Sequence, residues 1–229
     1  MDEPPLAYAR GYIMKILISA GATREPIDAV RFISNHSSGR MGVAVAREAA
    51  RRGADVTLVA GAMEVSPPPG VRVERVDTVA ELAEVVAREL PASDVLVMAA
   101  APADFRPAHV AAGKIKKTSA PAAIELAPTV DVLRETKHHR KAGAVIVGFA
   151  LETSAVLESA RAKLRDKALD LVVANRAGVA GEGFGSDTNR VTFVSASGDE
   201  ELPLLSKDAV AAALLDRVER LMTEKGDGR

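Results

Sequence analysis

The residues best equipped for chemistry gather early in the chain. Thr23, Arg24, Asp28, Arg31, Asn35, Ser37 and Ser38 all lie between an apolar strand, Ile16-Leu17-Ile18, and a helix that starts near Met41. A loop that only reverses the chain is shorter and less polar. Hydroxyls, an amide and guanidinium groups ahead of a helix whose first N–H groups lack partners suit an anion such as phosphate. Further on, Ala99-Ala-Ala-Pro-Ala-Asp104-Phe-Arg-Pro107 follows another apolar strand. Its small residues allow close approach of a ligand to the backbone. Asp104 can accept bonds from a ribose or base, hold Mg²⁺ through water, or simply cap an Asx turn. Lys114, Lys116 and Lys117 on a Gly-flanked segment can neutralise a triphosphate, or can be a solvated surface run. Phe149, one of few aromatics, is either a stacking platform or core. Lys163 and Lys167, four apart, share a helix face and either reach phosphates or solvate the helix.

These groups need a scaffold, and the hydrophobic pattern supplies one. Strands are expected at Lys15–Ser19, Val56–Ala60, Val71–Val76, Val95–Ala99, Ala144–Gly148 and Leu171–Ala174. Helices are expected at Met41–Arg52, Val79–Leu90, Ala155–Lys167 and Lys207–Met222, the second opened by a Thr78/Glu81 capping box. The alternation predicts an α/β, Rossmann-like, doubly wound and mainly parallel sheet in three layers. Two stretches break the rhythm: a Lys-containing loop at 108–127 with one short strand, and a Gly-rich loop at 175–189 followed by a hairpin over 190–205. Residues 1–12 and 224–229 are expected to be mobile tails around a single domain, 13–223.

Composition narrows the class. Lys plus Arg number 30 against 31 Asp plus Glu, for a net charge of −1, which argues against generic nucleic-acid binding. The 229 residues contain no cysteine, so disulfides, thiolate metal sites and a cysteine nucleophile are excluded. No basic-then-apolar leader and no membrane-length apolar run appear, so the expectation is a soluble, cytoplasmic protein without membrane partners. Neither Gly-x-Gly-x-x-Gly nor a Gly-x-x-x-x-Gly-Lys-Ser/Thr loop is present, and the only tyrosines, Tyr8 and Tyr12, lie near the start. A nucleotide-dependent oxidoreductase is therefore a weak alternative. The four histidines form no metal signature.

Taken together the motifs resemble a family. Gly21-x-Thr-Arg-Glu-x-Ile-Asp-x-Val-Arg31, Ser34-Asn-x-Ser-Ser-Gly-x-Met-Gly42, Ala103-Asp-Phe-Arg-Pro107, Lys114-Ile-Lys-Lys117, Gly148-Phe-Ala-x-Glu-Thr153 and Phe184-Gly-Ser-Asp-x-Asn189 occur in this order. Over residues 13 to 223 the chain resembles phosphopantothenoylcysteine synthetases of bacterial type, ligases of coenzyme A biosynthesis. The resemblance implies joining of 4′-phosphopantothenate to L-cysteine with CTP (ATP in many eukaryotic relatives) and Mg²⁺ carried by the nucleotide phosphates, with no dedicated protein metal site. It implies a homodimer, with the irregular 175–205 region one candidate contributor, and association with a flavin-dependent decarboxylase. The residues before Lys15 are too few for that decarboxylase, whose activity is not expected here. Carried over by position, Asn35 would be the donor for acyl transfer and Lys114 the cation for nucleotide activation. Met98, Ala99, Ala100, Asp104, Lys114, Pro128, Thr129, Val130, Asp131, Phe149, Lys163 and Lys167 would contact nucleotide. Ser37, Ser38 and Gly39 would cradle phosphates, and Arg31 with Asn35 would take phosphopantothenate. Val130 stands where the pattern commonly has proline, and the segment after Lys117 is short. A catalytically silent nucleotide-binding module partnering the decarboxylase is the alternative.

Overall fold

Uninterrupted apolar runs become inner strands, because only a strand covered on both faces can bury every side chain. In the computed structural model, which describes residues 12–117, 123–178, 183 and 185–227, these runs form one central eight-stranded sheet. Its strands are β1 (Lys15–Ala20), β2 (Asp55–Ala60), β3 (Arg72–Arg75), β4 (Val95–Met98), β5 (Val145–Glu152), β6 (Leu171–Arg176), β7 (Thr192–Ser195) and β8 (Gly198–Glu201). The spatial order is β8-β7-β6-β5-β4-β1-β2-β3. Strands β1 to β6 are mutually parallel, and β7 and β8 add an antiparallel edge. The order 3-2-1-4-5-6 is that of the Rossmann fold, with its crevice where the winding reverses, between β1 and β4.

Alternate residues of each strand feed two cores. Ile16, Ile18, Leu58, Val97, Val147 and Val173 face α1 (Arg40–Arg51) and α5 (Lys207–Asp227). Leu17, Val59, Leu96, Ile146 and Val172 face α2 (Val79–Glu89), the single-turn α3 (Val132–Glu135) and α4 (Val156–Asp166). The three expected layers are present. The capping box of α2 forms as read, Thr78 accepting from the Glu81 N–H at 3.2 Å while the Glu81 carboxylate reaches back. A further carboxylate, buried Glu25, accepts the Val79 N–H at 2.8 Å and so ties the early loop to the start of α2.

Several boundaries differ from expectation. Strand β5 continues past Gly148 to Glu152 because β6 pairs with it as far as Arg176, although apolarity lapses in both. Helix α5 runs past Met222 to Asp227. The short strand in the Lys-containing stretch is Leu126–Pro128, paired antiparallel with Phe105–Pro107. An unexpected second ribbon joins Arg24–Pro26 to Phe32–Ser34. The proposed tail over 1–12 lies almost wholly outside the described residues, as do 179–182 of the Gly-rich loop. Among the described residues no helix is long and apolar enough to cross a membrane.

Helix α1 lies unusually close to β1. A methyl group on Gly42 would sit 2.5 Å from the Ala20 Cβ and 2.8 Å from the Ser19 carbonyl oxygen. Both are within the backbone-packed region, so neither can yield freely. Gly42→Ala is expected to destabilise the protein by about 1–3 kcal/mol through overpacking. The check is the midpoint of urea unfolding, which should fall without a change in slope.

Candidate functional site

The site is assembled where three strand ends meet. After β1 the backbone turns at Gly21, with φ +84°, and Ala22 pairs with Ala62 after β2 and with Ala101 after β4. The buried Ser19 hydroxyl, at the end of β1, accepts the Ala100 N–H at 3.1 Å. Thr23 accepts the Ala103 N–H at 2.9 Å. Asn35 donates both amide hydrogens back across the gap, to the Ala101 carbonyl at 3.0 Å and the Pro102 carbonyl at 3.1 Å. The loop after β1 and the loop after β4 are thus stitched into one wall.

Beyond Asn35 the chain enters α1 through Ser37, Ser38 and Gly39. Gly39 is the N-cap in a left-handed conformation; no side chain caps the helix and its first turn holds no acid. The first N–H groups stay available to an anion, which the helix dipole favours. They open on a cavity of about 290 Å³. A second lobe of about 160 Å³ adjoins it, sharing a wall of Ala100, Pro102, Asp104, Phe149, Lys163 and Lys167.

Most positions expected from the sequence converge here. Ser37, Ser38, Gly39 and Ala99 line the larger lobe beside the shared wall. Met98, Thr129, Val130 and Asp131 line the smaller one. Phe149 lies within β5, not beyond its end, and still faces the cleft. Asp131 N-caps α3 by accepting the Arg134 N–H at 3.3 Å, which defines the backbone at the Val130 departure. The Asp104 carboxylate has no hydrogen-bond partner among the described residues, so it caps no turn and remains open to a ligand; its charge acts on Lys163. Arg31, Asn35, Lys114 and Pro128 line neither lobe. Pro128 pairs with Phe105 in a ribbon, and Lys114 is exposed on the segment at 113–117.

Four cations surround the larger lobe, and each is anchored. The Lys163 ammonium donates to the Phe149 carbonyl, and Lys167 pairs with Asp131 at 3.0 Å. Burial, then the neighbouring Lys167 charge, lowers the Lys163 pKa below the ordinary lysine value. Burial opposes ionisation of Asp131, but Lys167 together with the Arg134 N–H and charge holds the carboxyl below its usual range. Across the cleft, buried Lys207 donates to the Gly183 carbonyl at 2.9 Å and to the Ser186 carbonyl. Arg40 pairs with Asp187 at 2.8 Å. Burial and the Arg40 charge together lower the Lys207 pKa.

Arg40, Lys207 and Asn175 line this lobe without having been singled out from sequence, and Asn189, the end of the last motif, lines it without having been assigned a role. One signal was present at Lys207. A lysine as the first residue of a helix opposes the dipole, so it needs a local reason to be there. Asn175 shows another, as the first polar residue after the apolar run of β6; it donates to Asn189 at 3.3 Å.

An open helix N-terminus, a small-residue floor and a cationic wall at the switch point give an α/β protein whose cleft has the chemistry to suit a phosphorylated ligand. The chain belongs to the family described as DNA/pantothenate metabolism flavoprotein C-terminal domain, which matches residues 13–222. It is 48% identical over 216 residues to the coenzyme A biosynthesis bifunctional protein CoaBC of Mycobacterium bovis, covering 89% of this chain and 51% of that protein. The Vibrio cholerae CoaBC is 41% identical, with 91% of this chain and 53% of that protein covered. The chain therefore spans about half the length of these curated relatives. Among solved structures, the C-terminal domain of a CoaBC superposes with a TM-score of 0.77 at 39% identity, over 92% of this chain and 96% of that one. A Cab2 variant in complex with phosphopantothenate-cysteine shares the fold, with a TM-score of 0.79 at 18% identity over 96% and 91% of the two chains.

The lowered pKa of Lys163 gives a pH dependence with a definite sign. An anion prefers the charged ammonium, so affinity for inorganic pyrophosphate should hold near neutrality. It should then fall about tenfold as the pH rises through a value below the ordinary lysine range. Lys163→Arg, charged throughout, should flatten that decline. Titration calorimetry on both proteins decides it; an identical decline in the variant would remove Lys163 from the anion site.

Proposed function

We propose that this chain is a phosphopantothenate–cysteine ligase that uses CTP and Mg²⁺. The observation that carries the reading is the two-lobed cleft at the switch point, with the open end of α1 on one side and Lys163, Lys167 and Lys207 on the others. Its support from kinship is the 39% identity to a CoaBC C-terminal domain across nearly all of that domain. In the first step the carboxylate of 4′-phosphopantothenate attacks the α-phosphorus of CTP. The bond to the β-phosphate breaks, pyrophosphate leaves and an acyl-cytidylate remains. In the second step the cysteine amine attacks the acyl carbon and CMP departs.

The residue roles are those the family resemblance implies, read together with charge and the layout of the cleft. The triphosphate is assigned to the Ser37-Ser38-Gly39 end of α1, with the base and ribose toward Asp104, Phe149, Thr129 and Asp131. Lys163, Lys167 and Lys114 offset the charge that develops on the leaving pyrophosphate. Among the described residues no three His, Asp or Glu side chains group to hold a metal ion. On the family resemblance the Mg²⁺ is assigned to the nucleotide's own phosphates, where it would add to the same neutralisation, with Asp104 within the cleft to bind its waters. Arg31 and Asn35 are assigned to phosphopantothenate. Asn35 serves the second step as a donor to the tetrahedral oxyanion, for which one of its hydrogens must leave the Ala101 or Pro102 carbonyl. CTP is proposed over ATP on the bacterial pattern of motifs alone; base choice is assigned to backbone groups near Ala100 and Phe149, which side-chain identity does not reveal.

We further propose that the chain works in the cytoplasm as a homodimer associated with a flavin-dependent decarboxylase. Exposed Val30, Phe32, Phe105, Val110, Ile124 and Leu126 are concentrated on the two ribbons, which pack together. An apolar surface of that kind suits a subunit contact. Between 175 and 205 the described residues expose one large apolar side chain, Leu204. The ribbons are the better candidate interface.

Incubation with phosphopantothenate, cysteine, Mg²⁺ and CTP should release pyrophosphate and CMP in equal amounts, and faster than with ATP. Failure to release either product would overturn the proposal. Lys114→Gln should slow pyrophosphate release by about 10²–10³-fold. Asn35→Asp should still release pyrophosphate while the acyl-cytidylate accumulates, detected by mass spectrometry after acid quench. Loss of pyrophosphate release in that variant would show that Asn35 acts in the first step instead.

A further inference from the structure

The segment that carries Lys114 is not a free surface loop. Its central residue, Ile115, leaves its side chain 46% exposed, so apolar burial does not hold it in place. Polar bonds do. The Ile115 N–H donates to Asp28 Oδ2 at 3.1 Å, and the Ile115 carbonyl accepts from Arg31 Nη2 at 3.0 Å. Both backbone groups of one residue are thus taken by side chains, as a neighbouring strand would take them. Nearby, the Ala111 N–H donates to the Ile27 carbonyl at 3.1 Å.

The clamp is itself rigidly built. Asp28 Oδ1 accepts from the Val30 and Arg31 N–H groups at 2.8 and 2.9 Å, closing the turn between them. Asp28 Oδ2 accepts from Arg31 Nε at 3.0 Å and from Arg31 Nη2 as well as from Ile115. The Asp28 side chain is fully buried, whereas that of Arg31 is half exposed. A buried carboxylate is costly unless its charge is met, and here a guanidinium and three backbone N–H groups meet it. The Arg31 guanidinium and these bonds hold the carboxyl well below the usual range, so the clamp is ionised at any physiological pH. Arg31 Nη1 makes no bond among the described residues, which leaves that edge available to a ligand phosphate.

We propose that Asp28 and Arg31 form a latch on the backbone at Ile115, and that Asp28 is a positioning residue for Lys114. Through Asp28, which does not touch substrate, the latch sets where the adjacent ammonium stands relative to the cleft. Arg31 contributes its Nε–Nη2 edge to the latch and keeps the other edge for the acid substrate. The part that concerns turnover rests on the ligase reading above; the part that concerns the loop does not.

Two measurements separate these parts. Amide exchange at Ile115, read by NMR on the ligand-free protein, should be slow in the native chain and at least about tenfold faster in Asp28→Asn, with remote core amides unchanged. Arg31→Lys keeps a cation but lacks the fork that spans Asp28 and Ile115, and should accelerate the same amide, so a fold defect in one variant does not decide the matter. Exchange at Ile115 that is already fast in the native chain, or unaltered in both variants, overturns the latch. For turnover, Asp28→Asn should slow pyrophosphate release about tenfold with Lys114 present and less than twofold in a Lys114→Gln background. An equal loss in both backgrounds would overturn the positioning role. A native chain that releases no pyrophosphate would defeat the ligase reading and leave the exchange result to judge the latch.

Discussion

The whole site hangs from one backbone crossing. At Ala22 the chain leaving β1 pairs with Ala62 on one side and Ala101 on the other, so three strand ends are joined before any side chain takes part. The bonds are short, 3.0 and 2.8 Å to Ala62 and 2.8 Å from the Ala101 N–H to the Gly21 carbonyl. The winding of the sheet reverses at this point, and ligands of open α/β sheets sit in the crevice so formed. Gly21 is required there: a Cβ would fall 2.4 Å from the Ala62 carbonyl oxygen, on a backbone turned to positive φ. With the seam in place, Asn35 can reach Ala101 and Pro102, α1 can begin against β1, and the early loop faces the loop after β4.

The electrostatics of the cleft show how such a wall can be both stable and ready for a ligand. Lys163, Lys167, Lys207 and Arg40 are not left as bare buried charges. Each leans on a carbonyl or a carboxylate: Phe149, Asp131, Gly183 and Asp187 respectively. Such partners offset desolvation, yet a neutral carbonyl satisfies an ammonium less well than a phosphate oxygen does. At Lys163 and Lys207, which rest on carbonyls, a phosphate oxygen would be a stronger partner than the one in place, whereas Lys167 and Arg40 already hold carboxylates. The lowered pKa values of Lys163 and Lys207 have the same cause, an environment that disfavours an uncompensated cation. The open first turn of α1, with neither cap nor acid, is the complementary feature.

Around this fixed cleft stand parts held by polar bonds rather than by packing. The two ribbons carry exposed apolar side chains, and the Lys114 segment rests on Asp28 and Arg31. Glu25 anchors the same early loop to α2 through its bond to Val79. A single loop after β1 thus lines the cleft through Ser37 and Ser38 and holds the Lys-bearing segment through Asp28.

Local chemistry is what a sequence encodes directly, and there the reading was largely complete. Short continuous apolar runs bounded by turn residues suit inner strands, and Thr78 with Glu81 suits a helix start. The parallel three-layer sheet followed from such signals, whereas the convergence of Asp104, Phe149, Lys163 and Lys167 was implied only by the family resemblance, because each residue alone suits a core or a solvated surface equally well. Strand lengths did not, because β5 and β6 extend through polar residues on the strength of each other's hydrogen bonds. Nor did the partners of distant polar groups: Lys207 with Gly183, Glu25 with Val79, and Asp28 with Ile115 are separated by long stretches of chain. Which edge of Arg31 is occupied, and which hydrogens of Asn35 are taken, depend on how two loops meet. A residue's type determines what bonds it can make, while only the folded chain determines which group stands within 3 Å to receive them.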